Sequence, residues 1–314
     1  MKKAFFIMIA VVALTFALVS LGKRHNGPTD RGDAIHVTAS FYTLAHFTER
    51  VGRDTVMVSS VTPTGTESHD FEPTARDISG IYSSRLFIYN GGGFDAWADK
   101  IRTEAKKNGA AVLNIAETLG LQPEEAGHAD DDDHEHGHGG FNPHFWLDPL
   151  LAVKEVEAIR DGLSRAYPAG TPAFHANAET YIKELRELHS RYETGLRDCL
   201  KKDVIVSHDA FSRLSDRYGI NFIPVVGISS EEEPSARRIR EIAGIVKERS
   251  IGFIFFETLV SPKIADTIAR ETGARTLVLD PIEGVIAKKG EPAPDYIGLM
   301  DQNLQNLRTA LSCR

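Results

Sequence analysis

The 314-residue chain has an ordinary globular composition, 42% hydrophobic and 25% charged, with a formal net charge of −8. That charge is concentrated in Glu124, Glu125, Asp130 to Asp133 and Glu135, with no Lys or Arg between Gln122 and Phe141, so the rest of the chain is close to neutral. No basic stripe is present, which excludes nucleic acid as a partner.

The chain opens on Met1-Lys2-Lys3 and an apolar run from Ala4 to Leu21, a positive region followed by a hydrophobic one. This predicts export. Residues 1–22 read either as a signal peptide or as an N-terminal anchor, because Ser20 and Gly22 do not form a clean A-x-A site and the run approaches bilayer length. No cysteine adjoins the segment, which excludes a lipobox-type lipid attachment. The body of about 290 residues that follows is long enough for two domains and is expected to be periplasmic or otherwise extracytoplasmic.

Short β-branched runs at Ile35 to Ala39, Val56 to Val61, Leu86 to Tyr89 and Ala111 to Ile115 predict strands. They alternate with helical stretches such as Tyr42 to Val51, giving a parallel α/β lobe over 33–170. Within it, 122–140 has no apolar residue able to join a core and reads as a disordered, acidic, His-rich surface loop. Its four histidines, His128, His134, His136 and His138, alternate with carboxylates in the manner of a metal-attracting tract; the competing reading is a passive polar insertion.

From Pro172 to Leu200 the apolar positions Tyr181, Leu185, Leu188, Tyr192, Leu196 and Cys199 recur at three-four spacing. This predicts one long helix over 171–201, roughly 40 Å in length, that connects two lobes rigidly. Strands then recur at Val204 to Ser207, Asn221 to Val226, Phe253 to Phe256 and Thr276 to Leu279, a second α/β lobe over 202–314 that ends in an amphipathic helix around Ile297 to Leu311. The predicted architecture is two Rossmann-like lobes, each a parallel sheet flanked by helices, with a cleft between them. Cys199 and Cys313 are the only cysteines; in an oxidising compartment a disulfide between them is as well supported as two free thiols.

Ligands of parallel α/β folds bind outside the carboxyl ends of the strands. His69, His144 and His208 fall in such loops, and Asp280 directly follows the strand ending at Leu279. Three neutral imidazoles and a carboxylate form a tetrahedral shell suited to Zn²⁺. Glu257, after Phe253 to Phe256, is open between facing the cleft and capping or pairing elsewhere. His36, His46, His175 and His189 have no partner pattern, and Gly91-Gly92-Gly93 lacks the order of a phosphate loop and reads as a tight turn.

The runs Glu67-Ser68-His69-Asp70-Phe71-Glu72-Pro73-Thr74, Asn142-Pro143-His144-Phe145-Trp146-Leu147-Asp148-Pro149, Ser207-His208-Asp209-Ala210-Phe211 with Tyr218-Gly219, Glu232-Glu233-Pro234-Ser235 and Leu279-Asp280-Pro281 resemble the zinc and manganese receptors of ABC importers, closest to the ZnuA type. The resemblance spans nearly the whole chain after the leader. It implies that His69, His144, His208 and Asp280 hold the metal and that the long helix is the interlobe backbone. Manganese members place a glutamate where His208 stands, so a third imidazole favours zinc, in line with the nitrogen preference of Zn²⁺. Some zinc members carry a glutamate just before the first histidine; here that residue is Ser68, with Glu67 one step back, leaving the fourth ligand open between Asp280, water and Glu67.

The resulting expectation is a monomeric, non-enzymatic zinc receptor that hands its ion to a membrane permease. The alternatives are a manganese or iron receptor of the same family, or a zinc hydrolase with water in the fourth position. No H-E-x-x-H helix supports the last.

Overall fold

The computed structural model describes residues 34–121, 141–286 and 294–314. The leader expected at 1–22 and the acidic loop at 122–140 lie outside the described residues. Among the described residues, no helix is long and apolar enough to cross a membrane.

The segment Ile35–Arg314 forms one compact unit that holds two four-stranded parallel sheets. The first comprises β1 (Ile35–Ala39), β2 (Val56–Ser60), β3 (Leu86–Tyr89) and β4 (Ala111–Asn114) in the order β2-β1-β3-β4. The second comprises β5 (Asp203–Val206), β6 (Asn221–Pro224), β7 (Phe253–Phe256) and β8 (Arg275–Val278) in the order β6-β5-β7-β8. The two orders are the same pattern, so the architecture is duplicated. In each, the chain reverses its direction of travel across the sheet between the first and third strands, which opens a crevice at their carboxyl ends.

Helices α1 (Tyr42–Gly52), α2 (Ala75–Ser83), α3 (Ala96–Lys107), α4 (Ile115–Leu119) and α5 (Pro149–Ala166) accompany the first sheet. The connector α6 (Thr171–Arg197) follows. Helices α7 (Ser212–Tyr218), α8 (Ala236–Glu248), α9 (Lys263–Thr272) and α10 (Tyr296–Leu311) belong to the second lobe. Several ends are written locally. Thr74 and Asp77 cap α2 reciprocally, Asp148 accepts from Leu150 N with Pro149 opening α5, and Gly219 ends α7 in the left-handed conformation, φ 67°.

Helix α6 is 27 residues long, about 40 Å at 1.5 Å per residue. It buries Phe174, Tyr181, Leu185, Leu188, Tyr192 and Leu196 in a single apolar cluster that also takes in Val37 and Ile88 of the first sheet and Val204 and Val206 of the second. A core shared across both lobes, with a continuous helix through it, resists hinge bending. Separate clusters fill the far faces, Ile81, Phe87 and Trp97 under α2 and α3, and Ile242, Ile254 and Ile268 under α8 and α9.

Polar contacts also pin the lobes together. Trp146 Nε1 donates to Pro281 O at 2.7 Å, Tyr296 Oη donates to Trp146 O at 2.5 Å, and Arg217 pairs with Asp148 at 2.6 Å. Cys199 and Cys313 form a disulfide, joining the residues just past α6 and α10.

Element boundaries differ from the sequence expectation in small ways. β4 stops at Asn114 because the Asn114 side chain turns to cap α4, accepting from Glu117 N. α6 ends at Arg197, short of Leu200, because Cys199 leaves the helix to bridge Cys313.

Candidate metal centre

Three histidines come from three different connections. His69 lies in the loop after β2, His144 just before the short 3₁₀ turn Phe145–Leu147 that leads into α5, and His208 two residues after β5. The structure brings all three together with Glu283, which follows β8, so that one ligand atom of each lies within 4.8 Å of the others. His144 Nε2 is 2.9 Å from His69 Nε2 and 3.2 Å from His208 Nε2. Glu283 Oε1 is 3.6, 3.2 and 3.4 Å from the Nε2 atoms of His69, His144 and His208.

Asp280, expected as the fourth member, does not join this group. Its Oδ2 accepts from Thr258 Oγ1 at 2.6 Å, its Oδ1 accepts from Ile282 N at 2.8 Å, and its main chain exchanges two hydrogen bonds with the Asn303 carboxamide. Both carboxylate oxygens are thus occupied in shaping the turn. Ile282 sits at φ 57°, a conformation unfavourable for a β-branched residue, and its carbonyl is held by Thr43 Oγ1. That turn carries Glu283 into the cluster three residues beyond Asp280. Glu67, the other carboxylate considered, stays outside it, accepting from the backbone N–H groups of His69 and Asp70 at 3.0 and 3.4 Å.

Each imidazole is set from behind. His144 Nδ1 donates to Asn142 Oδ1 at 2.9 Å, and His208 Nδ1 donates to Glu257 Oε1 at 2.7 Å. Glu257 therefore faces the cleft, answering the question its sequence position left open. The His69 ring packs edge-on against Phe94, centroids 4.6 Å apart. With the Nδ1 positions of His144 and His208 engaged as donors, it is their Nε2 atoms that face the cluster.

The electrostatics follow from depth. His144 is 0% exposed, and burial lowers it to about 3, so it is neutral across the physiological range. Burial also disfavours charge on His208, but the Glu257 carboxylate, and then Glu283, outweigh it and raise His208 well above the usual imidazole range. Burial pushes the Glu283 carboxyl up, yet the three imidazoles that face it, His144 and His208 before His69, prevail and hold it well below the usual carboxylate range. Burial, with Glu283 close by, pushes Glu67 up to about 9. The ionised Glu283 thus faces three imidazoles in a largely buried site, an arrangement that balances charge only when a cation or a proton is present.

Two parallel α/β lobes around a rigid helix, meeting at a buried polar cluster, describe a two-lobed solute-binding protein. Residues 37–310 match the family described as zinc-uptake complex component A, periplasmic, ZnuA, and the chain belongs to that family. It is 34% identical over 311 residues to the high-affinity zinc uptake system protein ZnuA of Bacillus subtilis, covering 96% of each chain. It is also 32% identical over 312 residues to the zinc-binding lipoprotein AdcA of Streptococcus pneumoniae, covering 98% of this chain but 61% of that relative, so it spans about three fifths of the streptococcal protein. The crystal structure of Zn(II)-bound AdcA from Streptococcus pneumoniae superimposes with a TM-score of 0.75 at 32% identity, over 88% of this chain and 58% of that one.

Proposed function

We propose that this protein is the extracytoplasmic receptor of a zinc importer, capturing Zn²⁺ between its lobes and releasing it to a membrane permease. The ligands in this reading are Nε2 of His69, His144 and His208 and a carboxylate oxygen of Glu283, which takes the place first expected of Asp280. The observation that carries it is the spacing of the four atoms. A tetrahedron with zinc–nitrogen arms of about 2.0–2.1 Å has edges of roughly 3.3–3.4 Å; five of the six separations in the cluster run from 2.9 to 3.6 Å, and the sixth is within 4.8 Å.

The donor set supports zinc over manganese, since three nitrogens and one oxygen suit a borderline ion and manganese favours oxygen-rich shells. It also argues against a hydrolase. Four protein ligands fill a tetrahedral shell, whereas catalytic zinc keeps an open position for water. The names of the relatives, which bind or take up zinc, point the same way. Metal analysis of protein purified without added metal, followed by calorimetric titration, tests the proposal: one tightly bound zinc per chain is expected, and stoichiometric manganese would overturn the assignment.

A further inference from the structure

Asn142 is a polar side chain, 7% exposed, two residues before His144, and it makes contacts in two directions. Its Oδ1 accepts from His144 N at 3.1 Å and from His144 Nδ1 at 2.9 Å. Its Nδ2 donates to the main-chain oxygen of Asp209 at 2.5 Å. Asp209 directly follows His208 and belongs to the other lobe, where its own N–H donates to Gly227 O at 2.8 Å.

The orientation of this carboxamide is fixed by chemistry. The Asp209 carbonyl can only accept, so the nitrogen must face it, and the His144 main-chain N–H can only donate, so the oxygen must face that. Given Oδ1 beside it, His144 Nδ1 must carry the proton, which leaves the Nε2 lone pair free. One side chain therefore selects the tautomer of a histidine in the first lobe and grips the turn that presents a histidine from the second. The loop bearing Asn142 is itself steadied, since Asn90 Nδ2 at the end of β3 donates to Pro143 O at 3.0 Å.

We infer that Asn142 is an interlobe latch, a positioning residue that ties the approach of the His208 turn to the orientation of His144 and so slows release of the bound ion. This rests on the zinc-binding reading above. If the His208 turn moves away from the first lobe, the Asn142–Asp209 bond must break, and the carboxamide is freed from the constraint that aims His144. Loss of two of the four ligands is thereby made concerted.

Two substitutions separate the two halves of the side chain. Asn142→Ala removes both; Asn142→Asp keeps an oxygen for His144 Nδ1 but has no donor for the Asp209 carbonyl. Zinc release into excess chelator, followed by stopped flow, is expected to be at least tenfold faster in both variants, with the circular dichroism of the zinc-free proteins unchanged. Release from Asn142→Asp at or below the wild-type rate, with only Asn142→Ala accelerated, reduces Asn142 to an orienter of His144 and overturns the latch, as do two variants indistinguishable from wild type. The unsubstituted protein gives an independent answer by NMR: the Asn142 side-chain amide protons should exchange with solvent more slowly with zinc bound than with zinc stripped, and equal exchange also overturns the latch. Failure of the wild-type protein to bind zinc stoichiometrically is a different result, which removes the underlying reading instead.

Discussion

Replacing Glu257 by Gln tests how the buried environment tunes the centre. Glu257 is 4% exposed, and its carboxylate receives the His208 Nδ1–H at 2.7 Å, a charge-assisted bond without competing water. Such a bond contributes about 1.5–3 kcal/mol, so losing its charge should weaken zinc binding by roughly 10–100-fold, the range typical of partners behind a metal-bound histidine. A second effect opposes the first. Glu257 also raises His208, so in the zinc-free protein His208 retains a proton as pH climbs through the ordinary imidazole range, and zinc must displace it. Wild-type affinity should therefore keep rising with pH above about 6.5, while Glu257→Gln loses its His208 proton earlier and levels off sooner. The variant's deficit should be smallest in acid and largest in alkali. Competition titrations against a chromophoric chelator from about pH 6 to 9 measure both curves; superimposed curves would show that Glu257 neither orients His208 nor holds its proton, and parallel, displaced curves would refute the proton effect alone.

The turn after β8 allows ligand and scaffold to be told apart: Glu283→Gln should cost zinc affinity by two orders of magnitude or more, whereas Asp280→Asn, which can keep the bonds to Ile282 and Thr258, should cost less than about tenfold; the reverse ranking would restore Asp280 as the ligand. Removing the disulfide by Cys199→Ser with Cys313→Ser should destabilise the protein by up to about 4–5 kcal/mol in denaturant titrations, because the bridge closes a long loop, with sequence separation 114; an unchanged midpoint would mean that the reduced chain is equally restrained when unfolded. His46, whose Nε2 is buried without a partner, is lowered by burial to about 4. Its folded value lies below its unfolded one, so it contributes stability that is present above about 6.5 and lost as pH falls toward 4, at most about 3 kcal/mol. His46→Phe should flatten that part of the pH–stability curve, and an undiminished acid loss in the variant would assign the effect elsewhere.

Much of this was legible in the chain. The runs from Ile35, Leu86 and Phe253 are strands at the expected residues, since β-branched and aromatic clusters bounded by turn residues leave little choice. The three-four spacing from Tyr181 to Leu196 reports the stripe of α6 that is buried. Helix α5 went unread although Asp148-Pro149 is a cap followed by a proline at the first helical position, a signal that was available. Glu283 is another matter. The rule that ligands follow strand ends points to Asp280, but a carboxylate there can equally serve the turn, and the left-handed Ile282 that redirects the chain toward the site leaves no mark in residue type. Asn142 and Glu257 act through partners distant in sequence, at separations of 67 and 49 residues, which only the folded chain brings within reach.

The Cys199–Cys313 bridge gives the second lobe the topology of a ring. Everything from Leu200 to Ser312 hangs from one covalent junction at the end of α6, so tension applied along the backbone passes from Cys199 to Cys313 without traversing β5 to β8. The lobe that contributes His208 and Glu283 is mechanically bypassed. By the same topology, a single proteolytic cut inside the ring opens it without detaching either piece, and the fragments should separate only when a reductant is added.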